Sequence, residues 1–105
     1  VASEAAAFDA LADGYRREIL AILRKGDRAV HEIAEELPIS RPAVSRHLRL
    51  LKVAGLVEEQ AVGTRHLYRL REEGVEAVRQ YLETVWGEAA TRFRIAAKNL
   101  EGEVK

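Results

Sequence analysis

The chain has 105 residues, with 17 Lys and Arg against 17 Asp and Glu for a formal net charge of zero, and its 48% apolar content is enough for one core and one domain over 1–105. It has no cysteine, which excludes disulfides, thiolate metal ligands and cysteine nucleophiles. No stretch nears the roughly 20 apolar residues of a membrane span, and no basic start leads into a signal-like apolar run, so a cytoplasmic chain without a membrane partner is expected.

Residues 1–25 read as two helices. Phe8, Leu11 and Ala12, then Ile19, Leu20, Ile22 and Leu23, recur at helical spacing, with Gly14 as the break and Gly26 and Asp27 as the stop. Residues 29–55 read as two more. The first starts at Ala29, turns Val30, Ile33, Ala34 and Leu37 to one face, and ends at Pro38 because proline disfavours the α conformation in the residue before it. In the second, helix 41–54, Ser40 caps the start, Pro42 is tolerated in the first turn, Val44, Leu48 and Leu51 form the buried stripe, and Gly55 closes the end. From residue 56 to residue 70 the period shifts to that of strands, with β-branched and aromatic residues around a turn near Gly63, so a β-hairpin is predicted. Residues 72–101 form a long helix whose stripe is Val75, Val78, Leu82, Val85, Ala89, Phe93, Ala96 and Leu100, with Trp86 beside it. Gly102 to Lys105 reads as a frayed tail.

Two short helices across a tight turn, the second basic and followed by a hairpin, define a mainly α winged helix-turn-helix of about five helices. The charged residues between Arg41 and Lys52 are Arg41, Arg46, Arg49 and Lys52, with no acid among them. A neutral chain can therefore present a basic face, and double-stranded DNA is the expected partner. Ser40, Arg41, Ala43, Ser45 and Arg46 sit near the end that enters a major groove first, where arginine takes guanine bidentately and small side chains tolerate several bases. Arg49 and Lys52 fall nearer the DNA backbone. Arg65 and His66 are placed to meet an adjacent minor groove or its phosphates. His47, beside Leu48, divides between DNA contact and hydrogen bonding at the core edge. Arg16, Arg17 and Arg71 read as surface charges, with phosphate contact left open for Arg16 and Arg17.

The strings SRPAVSRHLRLLKVAGLV (40–57) and GTRHLYRL (63–70), with ALADGYRREIL (10–20), resemble the ArsR/SmtB family of bacterial winged-helix repressors. The resemblance implies a homodimer that blocks a promoter, released by an effector or by changing abundance, with dimer contacts from the first and last helices. On this chain those contacts are Phe8, Leu11, Val78, Leu82, Val85, Trp86, Ala89, Phe93 and Leu100. A dimer implies a pseudo-palindromic operator with half-sites about 34 Å apart or a multiple of that.

The sequence departs from the family at Gly14 and Tyr15, where proline and threonine are frequent, and at Pro38, where glycine is usual in the helix-helix turn. Family metal sensors carry a cysteine pair, whose positions fall here on Ala29 and His31, or His and Asp ligands in the last helix, which here has no histidine. Neither set is complete, so no metal and no cofactor is expected, and His31 reads as a solvated helix residue. Trp86 and Phe93 read as interface rather than as the lining of an effector pocket. There is no phosphate-binding glycine loop, no nucleophile elbow and no second histidine a turn after His31 and Glu32, so an enzyme is not expected. Two other readings stay open: a winged-helix protein-interaction module without specific DNA binding, and a regulator whose unidentified small-molecule effector sits between the long helix and the core.

Overall fold

A computed structural model describes residues 4–104. It contains helices α1 (Glu4–Leu11), α2 (Gly14–Arg24), α3 (Val30–Glu35) and α4 (Arg41–Val53), an antiparallel hairpin of β1 (Val57–Val62) and β2 (Arg65–Leu70), and helix α5 (Glu72–Val104). The mainly helical winged architecture expected from the sequence is the one observed.

Several boundaries differ from those expectations, each for a local reason. The break between α1 and α2 lies at Ala12 and Asp13, and Gly14 is already helical. Asp13 is the true cap, its carboxylate accepting the N–H groups of Tyr15 (2.8 Å) and Arg16 (3.1 Å). Helix α3 begins at Val30 and stops at Glu35, short of Leu37, because its last turn tightens: Glu36 N–H bonds Ile33 O and Leu37 N–H bonds Ala34 O. Among the described residues every non-glycine φ is negative, so the α3–α4 turn is made with Pro38 and without the left-handed residue that a glycine would supply. Helix α5 runs to Val104, past the expected end at 101. Gly102 is therefore helical, since a lone glycine weakens a helix without ending it. Lys105 lies outside the described residues.

The end of α4 fixes the start of the wing. Gly55 takes φ +77°, Leu56 N–H bonds Leu51 O, and Gly55 N–H bonds Lys52 O, the paired bonds of a Schellman cap. Val62 and Arg65 pair across a two-residue turn of Gly63 and Thr64 in which only Gly63 has positive φ (+64°), as a type II′ hairpin requires. On its other edge β2 pairs with Arg28: Arg28 N–H reaches Tyr68 O at 3.0 Å and Tyr68 N–H reaches Arg28 O at 2.7 Å. The wing is thus bonded to the segment that leads into α3.

Ile19, Ile33, Val44, Leu48, Leu51 and Val57 are the large side chains most fully buried, so α2, α3, α4 and the root of β1 share one core. Helix α5 joins it at its N-terminal end. Gly74 lies against the backbone of Gly55, Val78 packs on the core, and the Tyr81 ring meets Phe8 of α1 at 5.0 Å between centroids. From Leu82 onward the apolar stripe is exposed, with Trp86 62% and Phe93 78% accessible. The Cα radius of gyration, 18.1 Å, well exceeds the roughly 13 Å of a compact chain of about 100 residues, because α5 projects from the body.

Candidate nucleic-acid interface

Helix α4 is held from three sides. Val44, Leu48 and Leu51 are buried, Ser40 Oγ accepts Ala43 N–H at 3.3 Å, and the Gly55 cap closes the far end. The charged residues Arg41, Arg46, Arg49 and Lys52 are all exposed, with Ala43 and Ser45 half-buried between them, and Leu50 and Val53 are exposed as well. None of these four cations has a carboxylate within salt-bridge reach among the described residues. The arginines around them differ. Arg65 pairs with Glu32 (2.6 Å), Arg69 with Glu58 (2.8 Å), Arg71 with Glu73, Arg79 with Glu76 and Glu83, and Arg92 with Glu88. On α5, Arg79 and Arg92 are thus paired with acids of the same helix, whereas no cation of α4 is.

The hairpin turn comes round to the start of α4, so Arg41 and Ser45 share an open groove with Thr64, Arg65 and His66. Arg65 reaches it tethered: Glu32 Oε1 accepts both Arg65 and the Ala29 N–H (2.9 Å). The Ala29 N–H, with the Arg65 cation second, holds the Glu32 carboxyl below its ordinary value. His66 lies 3.8 Å from Glu59. Burial, reinforced by Glu59, pushes the Tyr68 hydroxyl up to about 12, so it stays protonated beside that carboxylate.

The side chains of Arg16, Arg17 and His47 have partners within the fold. Arg16 Nε donates to Ala10 O at 2.7 Å, Arg16 Nη2 to Asp9 O at 3.2 Å, and Arg17 Nη1 to Leu11 O at 2.8 Å, so both guanidinium groups satisfy the last carbonyls of α1. They cap α1, Arg16 half-buried and Arg17 at the exposed surface where the sequence puts it. Arg16 also brings Nη1 to 3.5 Å from Nδ1 of His47, whose ring lies 6.2 Å from that of Tyr15. His47 is half-buried there, on the α2 side of α4.

The residues expected at the dimer contact divide. Leu11 and Val78 pack against their own core, whereas Leu82, Val85, Trp86, Ala89, Phe93 and Leu100 are exposed along α5. Between α5 and the core is an apolar pocket of about 270 Å³, lined by Leu20, Leu56, Leu70, Val75 and Val78 with Arg24 at its edge. That volume falls just under the range that takes a drug-sized ligand. Among the described residues no three His, Asp or Glu side chains cluster to hold a metal ion, and no helix is long and apolar enough to cross a membrane.

The arsR family profile of bacterial regulatory proteins matches residues 13–59, the span from the α2 cap to β1. The chain is 48% identical over 87 residues to the HTH-type transcriptional regulator Rv2034 of Mycobacterium tuberculosis, covering 83% of this chain and 81% of that protein. Its fold matches an ArsR-like transcriptional regulator from Rhodococcus sp. RHA1 with TM-score 0.73 and 34% identity, over 90% of this chain and 89% of the other. It also matches the homodimeric winged helix-turn-helix DNA-binding domain Mb0332 of Mycobacterium bovis, with TM-score 0.65 and 38% identity, over 80% and 78% of the two chains. By sequence along most of its length and by fold, the chain belongs to the arsR family of bacterial regulatory proteins, which are winged helix-turn-helix transcriptional regulators.

Proposed function

We propose that the chain is a homodimeric repressor that binds a pseudo-palindromic operator in the cytoplasm and carries no catalytic activity. The observation that carries this reading is a contrast in charge pairing: all four cations on α4 lack a carboxylate partner among the described residues, while Arg65 and Arg69 of the wing and Arg79 and Arg92 of α5 have one. Unpaired cations on one rigid helix release counterions from DNA without first breaking an ion pair. In this reading Ser40, Arg41, Ala43, Ser45 and Arg46 meet base edges in the major groove, and Arg49 and Lys52 hold the backbone. Arg65 and His66 reach the flanking strand from the wing. His47, engaged by Arg16, sets the orientation of α4. The exposed stripe from Leu82 to Leu100 supplies the dimer contact, and the homodimeric Mycobacterium bovis domain supports that assembly.

Gel-shift and footprinting assays over the chain's own promoter, at several salt concentrations, test the proposal. A protected pair of half-sites and a steep loss of affinity with salt are the expected result. Equal binding to promoter and random DNA defeats the repressor reading and favours the protein-interaction alternative. Three acids of α5, Glu76, Glu83 and Glu88, are already paired with Arg79 and Arg92.

A further inference from the structure

We infer that the groove between the starts of α3 and α4 and the hairpin turn seats a backbone phosphate of bound duplex DNA, and that His31 is one of the side chains holding it. The inference rests on the DNA-binding reading above and adds to it a residue and a condition. His31 of α3, Arg41 and Ser45 of α4, and Thr64, Arg65 and His66 of the hairpin line this one groove. Its polar lining therefore consists of two guanidinium groups, two imidazoles and two hydroxyls, with no carboxylate. N–H and O–H donors converging from three elements suit an oxyanion with several acceptor oxygens. Because the groove is open along its length, it suits an anion that stays attached to a larger chain. Glu32, the nearby acid, does not occupy the groove: its Oε1 already takes the Ala29 N–H and Arg65. That contact uses one Arg65 nitrogen, Nη2, and leaves donors on the others to face the groove.

The condition is pH. The charged and titratable groups around His31 are Glu32 and, one turn on, Glu35 of its own helix, Arg28 just before that helix, Arg41 on α4, and Arg65 and His66 on the hairpin, with Glu59 behind His66. A neutral imidazole gives phosphate one hydrogen bond, whereas an imidazolium adds a charge. The DNA-bound state then holds more protons than the free state, so affinity rises on acidification.

Fluorescence anisotropy with a short labelled duplex of random sequence, at about pH 8 and about pH 6 and fixed ionic strength, tests this, because phosphate contacts do not depend on sequence. The wild type should bind severalfold more tightly at the lower pH, about tenfold being the ceiling for a difference of about one pKa unit between bound and free states. His31→Gln, whose amide keeps one donor, should nearly match the wild type at about pH 8, and His31→Ala should be slightly weaker there; both should lose most of the gain at about pH 6 and there flatten the salt slope by about 0.9. His47→Gln should keep the gain. Retention of the full gain in both His31 variants, equal weakening at both pH values, or loss of the gain in His66→Gln alone overturns the assignment. The same series is run on promoter duplex: if the wild type, folded by circular dichroism, binds neither duplex at either pH, the DNA-binding reading itself fails and the inference falls with it.

Discussion

Alanine at Gly74 and alanine at Gly14 should move stability in opposite directions. A Cβ on Gly74 lies 1.9 Å from the carbonyl oxygen of Gly55 and 2.8 Å from its carbon, against an ordinary contact that begins at 3.4 Å. The two backbones must therefore separate by about 1.5 Å, the difference between that contact and the closest approach. Gly55 cannot yield, because its φ of +77° and the flanking cap bonds fix it, so the start of α5 must move and carry Val75 and Val78 with it. Overpacking costs about 1–3 kcal/mol, and a backbone obstacle puts this site near about 3 kcal/mol. For a chain of this size, that lowers the thermal midpoint by more than about 10 °C. At Gly14 the added methyl meets only a guanidinium nitrogen of Arg17, at 3.7 Å. There the loss of unfolded-state freedom should add about 0.4–1 kcal/mol and raise the midpoint by a few degrees. Thermal unfolding followed by far-UV circular dichroism, at one protein concentration because dimerisation would shift the midpoint, measures both variants. An unchanged midpoint for Gly74→Ala, or shifts of the same sign, would refute the close approach described for α5.

On α4, Arg46→Ala should cost about 1–3 kcal/mol on the operator and little on random duplex, whereas Lys52→Ala should weaken both and flatten the salt slope by about 0.9; competitive anisotropy separates the two roles. Asp13→Ala should lower the unfolding midpoint at neutral pH. The Arg16 N–H, aided by His47 and the Tyr15 N–H, holds the Asp13 carboxyl below its ordinary 3.8. A depressed carboxyl stabilises the fold above 3.8 and loses that contribution as pH falls through its folded value, so wild type and Asp13→Ala should converge under acid; a constant gap contradicts the cap. Trp86 is the sole tryptophan and 62% exposed in the single chain, so its emission should shift to the red as a dimer dissociates on dilution. Phe93→Glu should give that spectrum at every concentration and sediment as a monomer.

Much of the scaffold is legible from local signals. The stripe of Val44, Leu48 and Leu51 reads directly as core because its spacing matches the helical repeat, and Gly26, Gly55 and Gly63 mark the three turns that take positive φ. The basic stretch of α4 is equally visible. What escapes local reading depends on how elements cross. Arg16 and Arg17 look like surface charges because the carbonyls they satisfy belong to the preceding helix and are reached only once α2 folds back across α1. Glu32 and Arg65 stand 33 residues apart and meet only through the Arg28–Tyr68 pairing that seats the wing. His31 seems isolated until the hairpin turn arrives beside it. Gly74 carries no local signal, since its requirement is set by the far end of another helix.

The contacts of α5 with the body at Gly74, Val78 and Tyr81 leave the helix from Leu82 to Val104 extending about 34 Å beyond them. Mechanically that is a lever with its fulcrum beside the cap of α4. A pivot of about 5° at the Gly55–Gly74 contact, about 45 Å along the helix from Val104, would displace the tip by about 4 Å. Run in reverse, clamping two such levers together would set the angle at which each body hangs from the pair. The distance between the two α4 helices would then be governed by a pair of side-chain-free residues far from any base, and small repacking there would retune which half-site spacing the protein accepts.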